Sequence, residues 1–93
     1  MRLIWSRPSI ADLLAIDDWL STQADKSTAE VTIDRIRARA RRQKDFPRTG
    51  QQLGGGFRSV RVQHTPYILT CNVNPERLEI IRIRHNRQNW RVE

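Results

Sequence analysis

The stretch that decides the fold is Leu78–Trp90, which reads Leu-Glu-Ile-Ile-Arg-Ile-Arg-His-Asn-Arg-Gln-Asn-Trp. Its first half alternates and is rich in isoleucine, a pattern typical of a strand. Period-two spacing predicts one face with Leu78, Ile80, Arg82 and Arg84, and another with Glu79, Ile81, Ile83 and His85. We expect this strand to anchor a sheet and to deliver charged and aromatic groups to one end, facing an anionic or acidic partner. These groups are Arg82, Arg84, His85, Arg87 and Trp90.

Length and composition exclude several classes of protein. The 93 residues fit one domain, residues 1–93, with a small core and no room for a large cofactor. The single Cys71 excludes an intrachain disulfide and a cysteine-based zinc site, which is consistent with a reducing cytoplasm. No apolar run approaches the roughly 20 residues that span a bilayer, and the start does not resemble a signal peptide. We therefore expect a cytoplasmic protein that uses no cofactor, metal or membrane.

The charge of the chain is unevenly distributed. Residues 1–34 carry three basic and six acidic side chains, a net charge of −3. Residues 35–93 carry fourteen basic and four acidic side chains, a net charge of +10, which together give the formal +7 of the whole chain. Such segregation indicates an acidic protein partner, nucleic acid, or both, although a solvated basic face without a ligand would look the same.

The first half of the chain reads as one strand followed by two helices. Arg2 to Trp5 is a short apolar strand, Ser6 is placed to cap a helix, and Pro8 suits its first turn. We expect Asp12 on the wet side of that helix, whereas Trp19 is expected in the core. Its predicted apolar stripe contains Ile10, Leu13, Leu14, Ile16, Trp19 and Leu20.

A second helix follows a polar break at residues 21–26. Ser27-Thr28-Ala29-Glu30 predicts a capping box that opens it, with Ser27 as the N-cap. Its apolar seam contains Ala29, Ile33, Ile36 and Ala40. The many arginines after Asp34 scatter around the helix rather than lining one side, so a nucleic-acid recognition helix is not favoured.

The second half of the chain predicts a meander of strands. We expect Phe46 to pack down as a plug where the second helix ends, and residues 50–56 to form a flexible loop. The glycines of that loop lack the Lys-Ser/Thr ending of a phosphate-binding loop. Strands at residues 57–63 and 67–73 then lead into the strand at Leu78. The predicted fold is therefore α+β, in the order β-α-α-β-β-β, with a helical hairpin on one face of a small, mainly antiparallel sheet.

Five short motifs follow one another along the chain: Trp5-Ser6-Arg7-Pro8, Phe46-Pro47-Arg48-Thr49-Gly50, Arg58, Pro66-Tyr67-Ile68 and the ending Ile80–Trp90. Taken in this order, they resemble the ParE-type toxins of the ParE/RelE superfamily, which form bacterial toxin–antitoxin pairs. Two departures are Cys71, where an aromatic residue is common, and the triple glycine that lengthens the preceding loop. The spacing from Arg87 to Trp90 is also one residue longer than the commoner gap.

The resemblance implies a small toxin that is neutralised by an antitoxin encoded beside it. In this family the ParD-like antitoxin has a ribbon-helix-helix DNA-binding part and a tail that wraps the toxin, so that the toxin meets DNA only indirectly. We expect the tail to occupy a groove across the two helices and the sheet edge, apolar at its floor and basic at its rim. The candidate antitoxin-binding residues are Leu13, Leu14, Trp19, Ile33, Arg37, Arg41 and Arg58.

Three functions stay open at this point. The resemblance favours a non-catalytic inhibitor of DNA gyrase, whose binding surface would be the basic and aromatic group at the C-terminal end: Arg82, Arg84, His85, Arg87 and Trp90. The alternative is a RelE-like endoribonuclease that cleaves mRNA on the ribosome, with His85 as acid or base and Arg58, Arg61 and Arg82 stabilising charge. The third is a homologue that binds the antitoxin without being toxic.

Overall fold

The strand predicted from Leu78 lies inside a five-stranded sheet. The computed structural model describes residues 1–86. Its elements are β1 (Arg2–Trp5), α1 (Arg7–Gln23), α2 (Lys26–Asp45), β2 (Gln51–Gly54), β3 (Phe57–Arg61), β4 (Tyr67–Val73) and β5 (Arg77–His85). The strand order is β1-β5-β4-β3-β2, in which β1 and β5 are parallel and the other pairs are antiparallel. The α+β class and the helical hairpin on a small sheet are confirmed.

Strand β2 was not predicted, because the sequence reads as a loop there. Its four residues are all exposed, so no alternation of apolar and polar residues marks it. It pairs with β3 through a hairpin whose turn contains Gly55 and Gly56, both with positive φ. A Cβ atom at Gly56 would come within 2.9 Å of the Val73 carbonyl oxygen, so glycine is required both by backbone conformation and by space. The glycines thus close a hairpin rather than loosening a loop.

A β-bulge in β5 changes which residues share a face. Cys71 lies opposite Ile80, whereas Thr70 lies opposite Arg82, so that Ile81 is an extra residue in β5. Ile83 therefore joins Ile80 in the core, and Arg84 lies opposite Ile68 on the other face. The prediction that Arg82 and Arg84 share a face with Leu78 and Ile80 is wrong, because it assumed uninterrupted pairing.

The two helices begin with side-chain caps, one of them predicted correctly. The Ser6 hydroxyl accepts a hydrogen bond from the Ser9 amide at 3.1 Å, which confirms the predicted cap of α1. The cap of α2 is Asp25, whose carboxylate accepts from the Thr28 amide at 2.6 Å, so the prediction of Ser27 is wrong. Helix α1 runs on to Gln23, and only Ala24 and Asp25 separate the helices.

The core lies between the hairpin of helices and one face of the sheet. Ile36 and Ala40 of α2 pack with Val60, Leu69 and Ile80 of the strands, and all five are almost inaccessible to water. Burying each large aliphatic side chain contributes about 1.5–3 kcal/mol. Trp19 and Phe46 do not take part, since each is 57% exposed, and Ile10 and Leu14 of the predicted stripe of α1 are also exposed. The expectation that they would be buried is wrong, because the buried stripe of α1 is narrower than predicted and Phe46 lies beyond the last turn of α2.

Candidate functional site

The outer edge of β5 is closed by α1 where β1 ends. Strand β1 pairs with β5 only as far as Trp5 and Ile80. Beyond that point the Ser6 amide donates to the Ile80 carbonyl oxygen at 2.9 Å, and the Ser6 hydroxyl donates to the Ile81 carbonyl oxygen at 2.7 Å. Asp12 then accepts from the Ile83 amide at 2.9 Å. Ser6, the cap of α1, and the Asp12 side chain thus satisfy the backbone groups that a neighbouring strand would otherwise bind.

Asp12 also holds Arg82, the first of the predicted gyrase-binding residues. The Arg82 guanidinium donates two hydrogen bonds to the Asp12 carboxylate, at 2.8 and 3.0 Å. Burial raises the pKa of Asp12, but the hydrogen bonds from Arg82 and the Ile83 amide outweigh it and lower the pKa below its usual value. The expectation that Asp12 lies on the wet side is wrong. Its side chain is only 17% exposed, and its pair with Arg82 is the one ion pair within residues 1–86.

The position of Asp12 within the buried stripe of α1 is a sequence signal that this acid has a partner. Asp12 follows Ser9 by three residues and precedes Ile16 by four, which places all three on neighbouring positions of the helix surface. Ser9 is fully buried and Ile16 packs against the core. An acid inside such a stripe needs a buried partner, and an arginine at the far end of a strand can supply one.

The other predicted gyrase-binding residues are divided between the two faces of the sheet. Arg84 lies opposite Ile68, which in turn lies opposite Arg61, so that a cross-strand row of β3, β4 and β5 carries two arginines. His85 lies opposite Tyr67 on the core face, and the two rings meet edge to face with centroids 5.5 Å apart. Burial raises the pKa of the Tyr67 hydroxyl. Arg87 and Trp90 lie outside the described residues.

The four residues of the alternative ribonuclease site do not converge. Arg58 lies opposite Cys71, and His85 lies opposite Tyr67, four residues away along β4. That separation corresponds to roughly 13 Å along the sheet. Arg61 follows Arg58 by three residues in β3 and therefore lies on the opposite face. Arg82 is bound to Asp12. The arrangement does not bring an acid, a base and cations around one phosphate.

The candidate antitoxin-binding residues fall into an exposed group and a packed group. Leu14 is 64% exposed and Trp19 is 57% exposed, while Arg37 and Arg41 are exposed on α2. Leu13 and Ile33 are half-buried and pack against the core. Leu14 and Trp19 are about 140° apart around α1, so they flank the buried stripe rather than forming one floor. Ile10, at 45% exposure, lies one turn before Leu14 and was predicted in the core stripe.

Arg58 belongs to a different neighbourhood from Arg37 and Arg41. Its guanidinium donates to the carbonyl oxygens of Arg48 at 2.9 Å and Gly50 at 3.3 Å. On α2, Arg39 donates to the Thr49 hydroxyl at 3.2 Å from the helix side of the same turn. Two guanidinium groups thus bracket residues 48–50. Sequence reasoning missed Arg39, because the turn that brings it near Arg58 has no signature in the spacing of α2.

Two searches for other kinds of site gave negative results. Within residues 1–86, no group of three or more His, Cys, Asp or Glu side chains is arranged to hold a metal ion. The helices in the same part of the chain are too short or too polar to cross a membrane.

Comparisons with known proteins agree with this architecture. The family model described as the ParE toxin of the type II toxin–antitoxin system parDE matches residues 3–90. A solved structure of the chromosomal ParDE toxin–antitoxin system from P. aeruginosa is similar in fold, with a TM-score of 0.81 and 23% sequence identity over 91% of this chain and 95% of that chain. No curated protein sequence matches at a significant level. Because the family model spans nearly the whole chain, the chain belongs to the ParE toxin family of type II toxin–antitoxin systems.

Proposed function

We propose that this protein is held inactive by a ParD-like antitoxin and, when free, inhibits DNA gyrase without catalysing a reaction. The observation that carries the proposal is the family match over residues 3–90. The antitoxin would be a ribbon-helix-helix protein whose tail wraps the toxin. DNA would then be bound only through the antitoxin.

The exposed apolar residues of α1 support antitoxin binding. Leu14 and Trp19 each leave more than half of their surface in water. An amphipathic tail that covered them would bury this apolar area, which stabilises a complex by about 25 cal/mol per Å². Arg37 and Arg41 are exposed on α2 and could pair with acidic side chains of the tail. Leu13, Ile33 and Arg58 would contribute at its margin.

Gyrase binding is assigned to the C-terminal end of β5 and the residues that follow. Arg84 with Arg61 gives a cationic row on the sheet face that faces away from the core. Arg82 is held rigidly by Asp12, so less side-chain entropy is lost when a partner binds it. With His85, Arg87 and Trp90, these residues form the proposed surface, in which arginine and tryptophan would supply most of the binding energy.

The proposal that the protein is not an enzyme is supported by the separation of the ribonuclease candidates. General acid–base catalysis requires groups within hydrogen-bond reach of one reacting centre. Arg58 and His85 are roughly 13 Å apart along the sheet, and Arg61 faces the other way. Replacing His85 by Gln should therefore leave toxicity within a few-fold of wild type. A thousandfold loss of activity at unchanged stability would instead indicate catalysis.

Expression without the antitoxin tests the target. We expect filamentous cells, an induced DNA-damage response and inhibition of gyrase supercoiling by the purified protein. Abrupt translation arrest with cleaved mRNA would contradict the proposal and favour the ribonuclease. Normal growth with abundant soluble protein would leave only the non-toxic, antitoxin-binding homologue.

Two variants separate the two proposed surfaces. Trp19→Ala should weaken antitoxin binding at least tenfold and leave supercoiling inhibition unchanged, whereas Val31→Ala, which removes an apolar residue of similar exposure from α2, should change neither. Deleting residues 86–93 should abolish gyrase inhibition and leave antitoxin binding within threefold. Joint loss of both activities in a folded deletion variant would argue against separate surfaces.

A further inference from the structure

Four arginines gather around the turn that follows α2, and we call them the arginine cluster: Arg39, Arg42, Arg48 and Arg58. Arg39 and Arg58 are bound to the turn itself, through the Thr49 hydroxyl and the carbonyl oxygens of Arg48 and Gly50. Arg42 lies one turn after Arg39 on the same flank of α2, with its guanidinium 5.7 Å from the centre of the Phe46 ring. The turn therefore holds the guanidinium groups of Arg39 and Arg58 in place.

The positive charge of this cluster is not neutralised within residues 1–86. The one ion pair in that part of the chain joins Asp12 of α1 to Arg82 of β5 and includes no member of the cluster. Burial, followed by the charge of Arg42, lowers the pKa of Arg39. Both Arg39 and Arg58 act electrostatically on the buried Cys71 thiol, whose pKa is raised by burial. A neutral thiol supplies no compensating charge.

Arg39 has one guanidinium nitrogen without an acceptor among the described residues. Its Nη1 atom is buried and has no hydrogen-bond partner among the described residues, while its Nη2 atom is bound to Thr49. A buried N–H group without an acceptor is costly, and a charged one more so. The hydrogen bond from Nη2 to Thr49 nevertheless holds the Arg39 guanidinium against the turn.

An apolar recess lies beside the same cluster. A cavity of about 330 Å³ is lined by Pro47, Phe57 and Val73, with Arg48 and Arg58 also on its wall. Phe57 is 39% exposed, and Phe46 on the other side of the turn is 57% exposed. Apolar and aromatic surface interleaved with arginine is the composition of the centre of a protein–protein interface.

We propose that the arginine cluster binds a carboxylate of an acidic antitoxin segment, and that a neighbouring apolar side chain of the same segment enters the recess beside Phe57. This inference rests on the proposed function and specifies where and how the antitoxin binds. A carboxylate can accept from the exposed guanidinium of Arg42, which lies beside Arg39 on the same flank of α2. The apolar recess favours a protein segment, because a phosphodiester backbone carries no apolar side chain to fill it.

The test measures binding of the ribbon-helix-helix protein encoded by the reading frame next to this gene. Arg39→Gln and Arg42→Gln should each raise the Kd of the complex with that protein by about 10- to 100-fold, as expected for loss of a charge-assisted hydrogen bond. The matched control Arg77→Gln removes one exposed cation at the start of β5 and should stay within threefold. The free Arg39→Gln variant should melt at or above the wild-type temperature, because it removes an unsatisfied buried donor.

The possible outcomes are distinguishable. If wild type does not bind the antitoxin, the proposed function and this inference both fall. If wild type binds and both cluster variants bind equally well, only this inference falls. If the variants keep antitoxin affinity but lose retention of a labelled 20-nucleotide single-stranded RNA that wild type retains, the cluster serves nucleic acid and the inference is likewise overturned. If Arg39→Lys recovers less than half of the binding free energy that Arg39→Gln loses, the guanidinium group and not charge alone is needed, which supports the inference.

Discussion

Replacing Asp12 is the most informative perturbation of the fold, because one carboxylate joins α1 to two groups of β5. Asp12→Ala removes both hydrogen bonds to the Arg82 guanidinium and leaves the Ile83 amide without its acceptor. A buried ion pair broken on one side costs about 3–5 kcal/mol, but the Arg82 side chain is 41% exposed and water screens it. We therefore expect a loss of about 2–3 kcal/mol, most of it from the orphaned amide and the lost charge-assisted bonds.

Asp12→Asn should cost less, about 1–2 kcal/mol, because the amide oxygen can still accept from Ile83. For a domain of this size each kcal/mol lowers Tm by roughly 4–8 °C. Thermal and urea unfolding followed by circular dichroism would measure both variants. Asp17→Ala and Asp17→Asn are the matched controls, since Asp17 is an exposed acid on the same helix. An Asp12→Ala variant within 0.5 kcal/mol of Asp17→Ala would refute the reasoning.

The same interaction predicts a dependence on pH. Because the folded pKa of Asp12 lies below its ordinary value of 3.8, the folded state binds the proton more weakly than the unfolded chain does. The stabilisation is therefore fully present above the unfolded pKa and is lost as pH falls through the folded pKa. The difference in unfolding free energy between wild type and Asp12→Asn should be constant from pH 5 to 8 and shrink below pH 4. A difference that persisted unchanged at pH 2 would contradict this assignment.

Three further predictions concern local features. Asp25→Ala should lower Tm by roughly 4–8 °C, because it removes the acceptor for the Thr28 amide. Ser27→Ala should change Tm little. If thermal melts showed the larger loss for Ser27→Ala, Ser27 would be the cap. Gly56→Ala should destabilise the protein by more than 2 kcal/mol, because a Cβ meets the Val73 carbonyl oxygen, while Gly54→Ala, with open space around it, should cost only about 1–2 kcal/mol in urea unfolding. Ile36→Ala should cost about 2–5 kcal/mol as a core cavity, and a loss below 1 kcal/mol in the same assay would mean that α2 does not pack as described.

The fold could be predicted because its determinants are local. The cap at Ser6, the proline in the first turn of α1 and the alternation before Ile81 each depend on a few neighbouring residues. The cap of α2 was predicted at Ser27, whereas the structure has it at Asp25. The choice depends on how far α1 runs, and α1 ends at Gln23. Only packing against the rest of the protein decides that length.

What sequence reasoning missed is non-local. Asp12 and Arg82 are 70 positions apart, and although the stripe around Asp12 indicates that this acid needs a partner, nothing in the spacing identifies Arg82. The bulge at Ile81 becomes visible only when β4 and β5 are aligned. The arginines of α2 look scattered along the helix. Only the turn at residues 48–50 brings Arg39 and Arg42 close to Arg58. Side chains of the candidate site depend on such contacts more than core residues do.

The position of β5 in the sheet has a consequence for synthesis. It is the last of the described strands, yet it lies between β1, the first of them, and β4. Until Arg77 to His85 have left the ribosome, Arg2 to Trp5 have no strand to pair with. A nascent or prematurely terminated chain that lacks β5 therefore cannot assemble this sheet, whose central pairing joins residues far apart in sequence.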